Sequence, residues 1–253
     1  MRSTAAPSAP PAADTRAALL QAAAAEFAEA GYHDATIRAI CRRAGANVAA
    51  VHYHFGDKEQ LYLAVLRHLM DEANRRLPFD MGLGPEATPA ERLRAFVRSL
   101  LGRLLEPGPH AWLGRLVARE LLEPTPALEV MIREHIRPMS EQLRAVITAI
   151  LGPDRDEQTL GFCGLSIVSQ CFFYFHCRAV VSRLLPDLPQ GPAAVEPLTE
   201  HITRFSLAAL RDFARRPGRT AVRRVPAAAG RSARVRPRGP TRAVAAPAFQ
   251  QQP

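Results

Sequence analysis

The stretch TIRAICRRAGANVAAVHYHFGDKEQ, Thr36 to Gln60, decides the fold. Ile37, Ile40, Cys41 and Ala44 fall at i, i+3, i+4 and i+7, the apolar stripe of one short amphipathic helix. Thr36 stands where an N-cap belongs, and Gly45 where a C′ glycine ends a helix. Asn47 can cap a second helix, Val48 to Phe55, which at about 1.5 Å per residue spans roughly 12 Å. Two short helices joined by a Gly-Ala-Asn turn predict a helix-turn-helix. Gly56-Asp57 then breaks the run, and Asp57 with Gln60 three places on resembles a capping box for a third helix.

Working outward, residues 1–13 are Pro/Ala/Ser-rich and are expected to be a disordered arm. Asp14 or Thr15 can cap a helix to about Ala30, with Leu19, Leu20, Ala23 and Phe27 on one face and Gly31 as its stop. From Lys58 the helical pattern runs through Leu61, Tyr62, Val65, Leu66 and Leu69 to about Arg76. Residues 77–85 form a linker by composition, which sets a DNA-binding domain at 14–76 apart from a helical domain at 88–215. Thr88-Pro89 starts a helix to about Leu105, Pro107-Gly108-Pro109 ends it, and His110 to Leu122 is the next. Another runs from Thr125-Pro126 to Leu151, with Pro138 expected to kink or divide it. A long apolar helix at about 156–185 and a last one at 193–215 complete an all-α chain, and residues 216–253 are expected to be a disordered tail.

The 47% hydrophobic and 23% charged content is that of a soluble globular protein. The net charge of +9 belongs mostly to the tail: residues 217–253 hold eight Arg and no acid, leaving +1 for residues 1–216. The body is therefore not broadly basic. Lys58 is the only lysine. Cys41, Cys163, Cys171 and Cys177 show no C-x-x-C pair and no His at metal-ligand spacing, so buried reduced thiols and no metal are expected. That fits the cytoplasm, as does an N-terminus without a continuous apolar run for a signal peptide. Leu160 to Cys177 is 18 residues without a formal charge, but Gly161, Gly164, Ser166, Ser169, Gln170 and His176 dilute it. A helix buried between helices or subunits accounts for it better than a membrane span.

On the second short helix, Val51 and Phe55 should face the core, leaving Ala49, Ala50 and Tyr53 outward, Val48 at the tip, and His52 and His54 flanking. A recognition helix reads base edges mostly with its N-terminal residues. Val48, Ala49 and Ala50 are small and bring no polar side chain, which suits thymine methyls in the major groove. Tyr53, His54, Thr36 and Lys58 are suited to phosphates, with Arg38, Arg42 and Arg43 adding positive charge. His52 and His54 diverge at i, i+2 and cannot pair on a metal.

With those residues in view, positions 14–70 resemble the N-terminal domain of the TetR/AcrR family of bacterial repressors. Thr36-Ile37-Arg38, Ala44-Gly45, Tyr53-His54-Phe55 and Lys58-Glu59-Gln60-Leu61 stand at the family's spacings. Asn47-Val48-Ala49-Ala50 departs from the Ser-x-Gly-Thr-like start of many members and is similar to the subgroup related to CecR. Arg119-Glu120-Leu121, Glu123 to Leu128, Ile136-Arg137-Pro138 and Ser169-Gln170 resemble that subgroup's C-terminal pattern. The resemblance implies a homodimer on a pseudo-palindromic double-stranded operator, with heads about 34 Å apart. It also implies a small-molecule effector in the C-terminal domain that releases DNA, at genes for drug export or tolerance. Candidate pocket residues are Trp112, Arg119 and Glu120 on one helix, and Phe162, Gln170, Phe173, Tyr174 and His176 on another. For each of these taken singly, pairing or packing within the bundle or dimer is the preferred role. No G-x-G-x-x-G, P-loop, G-x-S-x-G or H-E-x-x-H is present, so neither an enzyme nor a cofactor is expected. The competing class is a helical small-molecule binder without operator-specific DNA binding.

Overall fold

The computed structural model describes residues 12–106 and 110–215. The expectations for residues 1–11, for the turn at 107–109 and for the Arg-rich tail lie outside them. Among the described residues every regular element is a helix: α1 (Ala12–Asp34), α2 (Ile37–Ala44), α3 (Val48–Phe55), α4 (Lys58–Arg76), α5 (Pro89–Leu105) and α6 (His110–Leu122), then α7 (Ala127–Met131), a π-helical turn (Ile132–Ile136), α8 (Arg137–Leu151), α9 (Glu157–His176), α10 (Arg178–Leu184) and α11 (Pro192–Arg215).

The caps of α2 to α5 fall where the sequence puts them, with Asp57 and Gln60 forming only the first half of the expected box. Thr36 accepts from the Ala39 amide, Asn47 from Ala50 and Asp57 from Gln60, and Gly45 closes α2 at φ 64°. Thr88 and Glu91 form a reciprocal capping box with Pro89 in the first turn of α5. α1 differs in two respects. It begins at Ala12, so Asp14 lies in the first turn, where its charge complements the helix dipole, rather than at the cap. It continues in sequence to Asp34, but across a non-helical Gly31 at φ 86° and ψ 170°.

Two buried clusters hold the bundle together. The first joins α1 to α2, α3 and α4 through Leu19, Phe27, Ile40, Val51, Leu61, Tyr62 and Leu66, and takes in Leu113 and Leu116 of α6 with Ala127 and Met131 of α7. The second packs α5 (Leu93, Phe96, Leu101) against α8 (Leu143, Ile147), α9 (Ile167, Cys171) and α11 (Val195, Ile202). The linker at 77–85 therefore does not partition the buried side chains, because α6 and α7 fold back onto α4.

The helix expected from 125 to 151 is divided, as Pro138 suggested, but by a π-helical turn. The Arg137 amide donates to the Ile132 carbonyl, five residues back. That wider turn brings Pro138 into the first turn of α8, where its missing N–H breaks no helical bond. The long apolar helix is likewise two: it breaks at Cys177, and α9 and α10 meet at 76°. Among the described residues no single helix is long and apolar enough to cross a membrane. Cys41, Cys163 and Cys171 are buried free thiols and Cys177 is half-buried; desolvation pushes Cys171 up to about 12.

Candidate nucleic-acid interface and the helical cavity

α3 is seated on the first core chiefly through Val51, with Ala50 and Phe55 packed beside it. Val51 is fully buried beneath it, with Phe55 half-buried one turn on and Arg16 of α1 over the Phe55 ring. The opposite face is open at Ala49, which is exposed, at Val48, 40% exposed at the tip, and at Tyr53, 80% exposed, whereas Ala50, expected there too, is half-buried and packs against the first core. A fully apolar tip next to an almost free tyrosine is a surface of groove-reading size with a phosphate donor at its edge. His54 lies edge-on to Tyr53 at 4.9 Å, and His52 turns back, its Nδ1 2.6 Å from the Gly56 carbonyl. Thr36, Arg38, Arg42 and Asn47 are exposed beside this face. Thr36 and Asn47 spend their oxygens on capping, which leaves the Thr36 hydroxyl proton and the Asn47 amide protons available to an acceptor.

Arg43 differs from expectation, and Lys58 has a structural contact besides the expected phosphate role. Arg43 ion-pairs with Glu29 at 3.0 Å and Glu26 at 3.4 Å, so it adds no net positive charge to the reading face. The Lys58 ammonium donates to the His33 carbonyl at 3.0 Å and lies 4.9 Å from the centre of the Tyr32 ring. It ties the start of α4 to the end of α1, with donor capacity remaining.

The expected pocket residues are not brought together. Arg119 is exposed and donates to the Glu29 carbonyl of α1 at 3.0 Å. Glu120 is 1% exposed and fully occupied: Tyr62 Oη donates to it at 2.7 Å, and the Thr125 amide and hydroxyl donate at 3.0 Å. Trp112 is half-buried against the first core. Gln170 donates to the Ser166 carbonyl and reaches Ser206 of α11 at 3.4 Å. Phe162 and Phe173 point outward from α9, 61% and 53% exposed, and His176 is exposed and stacked on Phe172. Tyr174 is half-buried at a different place, an outer cleft of about 880 Å³ beside α10. Placing these residues by α9 and α6 alone missed which side of each helix the neighbours cover.

A second cavity of about 380 Å³ lies instead between α4, α5, α6, the π-helical turn, α8 and α9. Although smaller than the cleft beside α10, it is lined by six helical elements, opens to solvent past the exposed Leu121 and Leu165, and touches α4 itself through Met70 and Asn74. Its polar members are Asn74, Arg103, His135 and Ser169, of which the first three went unnoticed in the sequence. Arg103 carried a signal: it stands seven residues after Phe96, on the apolar face of its helix, where a charge needs a reason. The guanidinium is 9% exposed, lies 3.8 Å over the Phe79 ring, and is pulled by burial down to about 10.

An exposed, small-residue helix face on a helix-turn-helix defines a DNA-binding protein by class. Comparison with known proteins agrees. Residues 19–65 match the model of bacterial regulatory proteins of the tetR family, and residues 89–210 match the C-terminal domain of the HTH-type transcriptional dual regulator CecR. The chain belongs to the TetR family of transcriptional regulators, with a C-terminal domain of the CecR type. It is 35% identical over 153 residues to CecR of Shigella flexneri, a match covering 55% of this chain and 66% of that one. It is 28% identical over 207 residues to the transcriptional repressor NicS of Pseudomonas putida, covering 78% and 92%. In fold it is similar to AibR, solved with isovaleryl coenzyme A and operator DNA, at TM-score 0.56 and 19% identity over 76% of this chain and 97% of that one.

Proposed function

We propose that this regulator is a ligand-responsive repressor that binds a pseudo-palindromic operator as a homodimer and is released by a small molecule held in the cavity against α4. The observation that carries the reading is α3 itself: Val51 fixes it to the core while Ala49 and Tyr53 remain free for a duplex. Ala50 reads bases, and Tyr53, Thr36, Arg38 and Lys58 hold phosphates. It acts in the cytoplasm and has no enzymatic activity. NicS is named a repressor and AibR was solved with both an acyl-coenzyme A and operator DNA, which supports the reading by likeness. By resemblance to CecR-like regulators, the genes it controls are those of drug export or tolerance.

Anisotropy titration of the fragment upstream of the gene tests it. Tyr53→Ala should weaken binding on specific and unrelated DNA alike, by about 1 kcal/mol. Ala50→Gln should instead change which bases are preferred. A protein that binds its upstream DNA at no salt concentration would be a helical ligand binder only.

The dimer would form on the faces that the bundle leaves apolar. Phe162, Leu165 and Phe173 of α9 and Phe205 and Phe213 of α11 are 47–66% exposed, and the two helices are joined by the Gln170 bond to Ser206. Exposed apolar side chains on two neighbouring helices suit a two-fold contact in which each copy meets its own equivalent. Phe205→Glu removes about 1.5–3 kcal/mol of apolar burial per copy and adds facing charges. It should sediment as a monomer and lose most operator affinity; an unchanged dimer would place the contact elsewhere.

A further inference from the structure

Arg103 is a buried cation without a counterion. Its donors go to neutral acceptors: the Leu77 carbonyl, Ser99 Oγ at 3.3 Å and Asn74 Oδ1 at 2.9 Å. Among the described residues no carboxylate stands within ion-pairing distance of it, and none lines the cavity. Burying a guanidinium on neutral partners alone forfeits the stabilisation that an opposite charge would return.

A second polar residue borders the same space. His135 Nε2 is buried and has no hydrogen-bond partner. It sits on the π-helical turn, a distortion that often marks functional sites. Burial lowers the His135 pKa, opposed by Asp71 and Glu134 and reinforced by Arg67 and Arg103. Glu134 is itself engaged by Arg67 at 2.7 Å and Arg133 at 2.9 Å. The remaining wall is aliphatic and aromatic, including Leu100, Leu113, Met139, Val168 and Phe172.

We propose that the cavity takes a small apolar monoanion, a carboxylate on a hydrocarbon or aryl body, with its charged end on Arg103 and, once the imidazole turns toward the ligand, on His135. The volume of about 380 Å³ suits a compact ligand rather than a large one. A cation is repelled by Arg103, and a neutral ligand leaves the guanidinium as it was. An anion does more, because charge-assisted hydrogen bonds are about twice as strong as neutral ones. It draws Arg103 away from Asn74, in the last turn of α4, and from the Leu77 carbonyl just beyond it. The C-terminal end of α4 is thereby loosened, while its N-terminal end follows α3 directly. This specifies the effector proposed above, and its consequence at DNA rests on that proposal; the binding chemistry does not.

Calorimetry on the full chain tests it with decanoate and 4-tert-butylbenzoate against their primary amides, and with acetate. The carboxylates should bind at least about tenfold tighter than the amides, and acetate not at all. Arg103→Gln should erase that preference and His135→Leu should reduce it, each checked for helicity by circular dichroism. Should Arg103→Gln unfold, His135→Leu decides the charge recognition and Met139→Trp, which fills the cavity, the location. Equal binding of amides, no binding of any carboxylate, or a preference that survives these changes overturns the proposal. Operator binding is measured separately without probes. Intact DNA binding with no probe bound sinks the ligand class alone, and probe binding without DNA binding sinks the regulator.

Discussion

Glu120→Ala is expected to lower the unfolding free energy by about 3 kcal/mol, read as a shift of the denaturant midpoint at constant slope. The carboxylate is 1% exposed and is the shared acceptor of three donors: Tyr62 Oη, the Thr125 amide and the Thr125 hydroxyl. Alanine removes the acceptor and leaves donors without partners in a space that water does not readily refill. Each buried unsatisfied group costs about 1–3 kcal/mol, and the cavity left by the side chain adds to it. Tyr62 also stacks within the first core, 4.8 Å edge-on to Phe27 and 4.9 Å from Tyr32, so a displaced phenol disturbs α1 as well as α4. Desolvation and the Glu120 hydrogen bond raise the Tyr62 pKa, so the phenol remains a donor throughout the usable pH range. Glu120→Gln keeps an acceptor oxygen and the volume, and should cost less than half as much. If Glu120→Ala unfolds at the wild-type midpoint, the carboxylate is not the joint between α4 and α6.

That joint shows where the sequence was legible and where it was not. The short helices could be placed because their signals are local: Thr36, Asn47, Asp57 and Thr88 cap through bonds three residues long. Glycines such as Gly45 announce a left-handed backbone in the same way. Val51 inward and Tyr53 outward followed from helical period alone, since α3 has a single buried face. α6 and α9 gave no such answer. Both are apolar on several sides, and the partners of Arg119, Glu120 and Gln170 lie 90, 58 and 36 residues away in sequence, on α1, α4 and α11. A polar residue in an apolar run signals that a partner exists, but not whether it is a ligand or another helix. Arg103 illustrates the converse: it contacts residues 26 and 29 positions away and was passed over within a long amphipathic helix. The π-helical turn left only Pro138 as a trace, because the widened bond lies upstream of the residue that makes it tolerable.

Gly31→Ala should be about as damaging, at roughly 2–4 kcal/mol, for two separable reasons. At φ 86° and ψ 170°, Gly31 occupies a region that residues with a Cβ avoid, which alone costs about 1–3 kcal/mol. An added Cβ would also stand 2.6 Å from Arg119 Nη1 and 3.3 Å from its guanidinium carbon. The arginine can swing aside, but it then gives up its bond to the Glu29 carbonyl, which ties the end of α1 to α6. A double-mutant cycle separates the two causes. In an Arg119→Ala background the clash is gone and the backbone strain remains, so Gly31→Ala should there cost about 1 kcal/mol less than in the wild type. An equal cost in both backgrounds assigns the whole effect to the backbone. No cost in either means that α1 does not bend at Gly31, and that Arg119 is free of the role in joining α1 to α6 assigned to it.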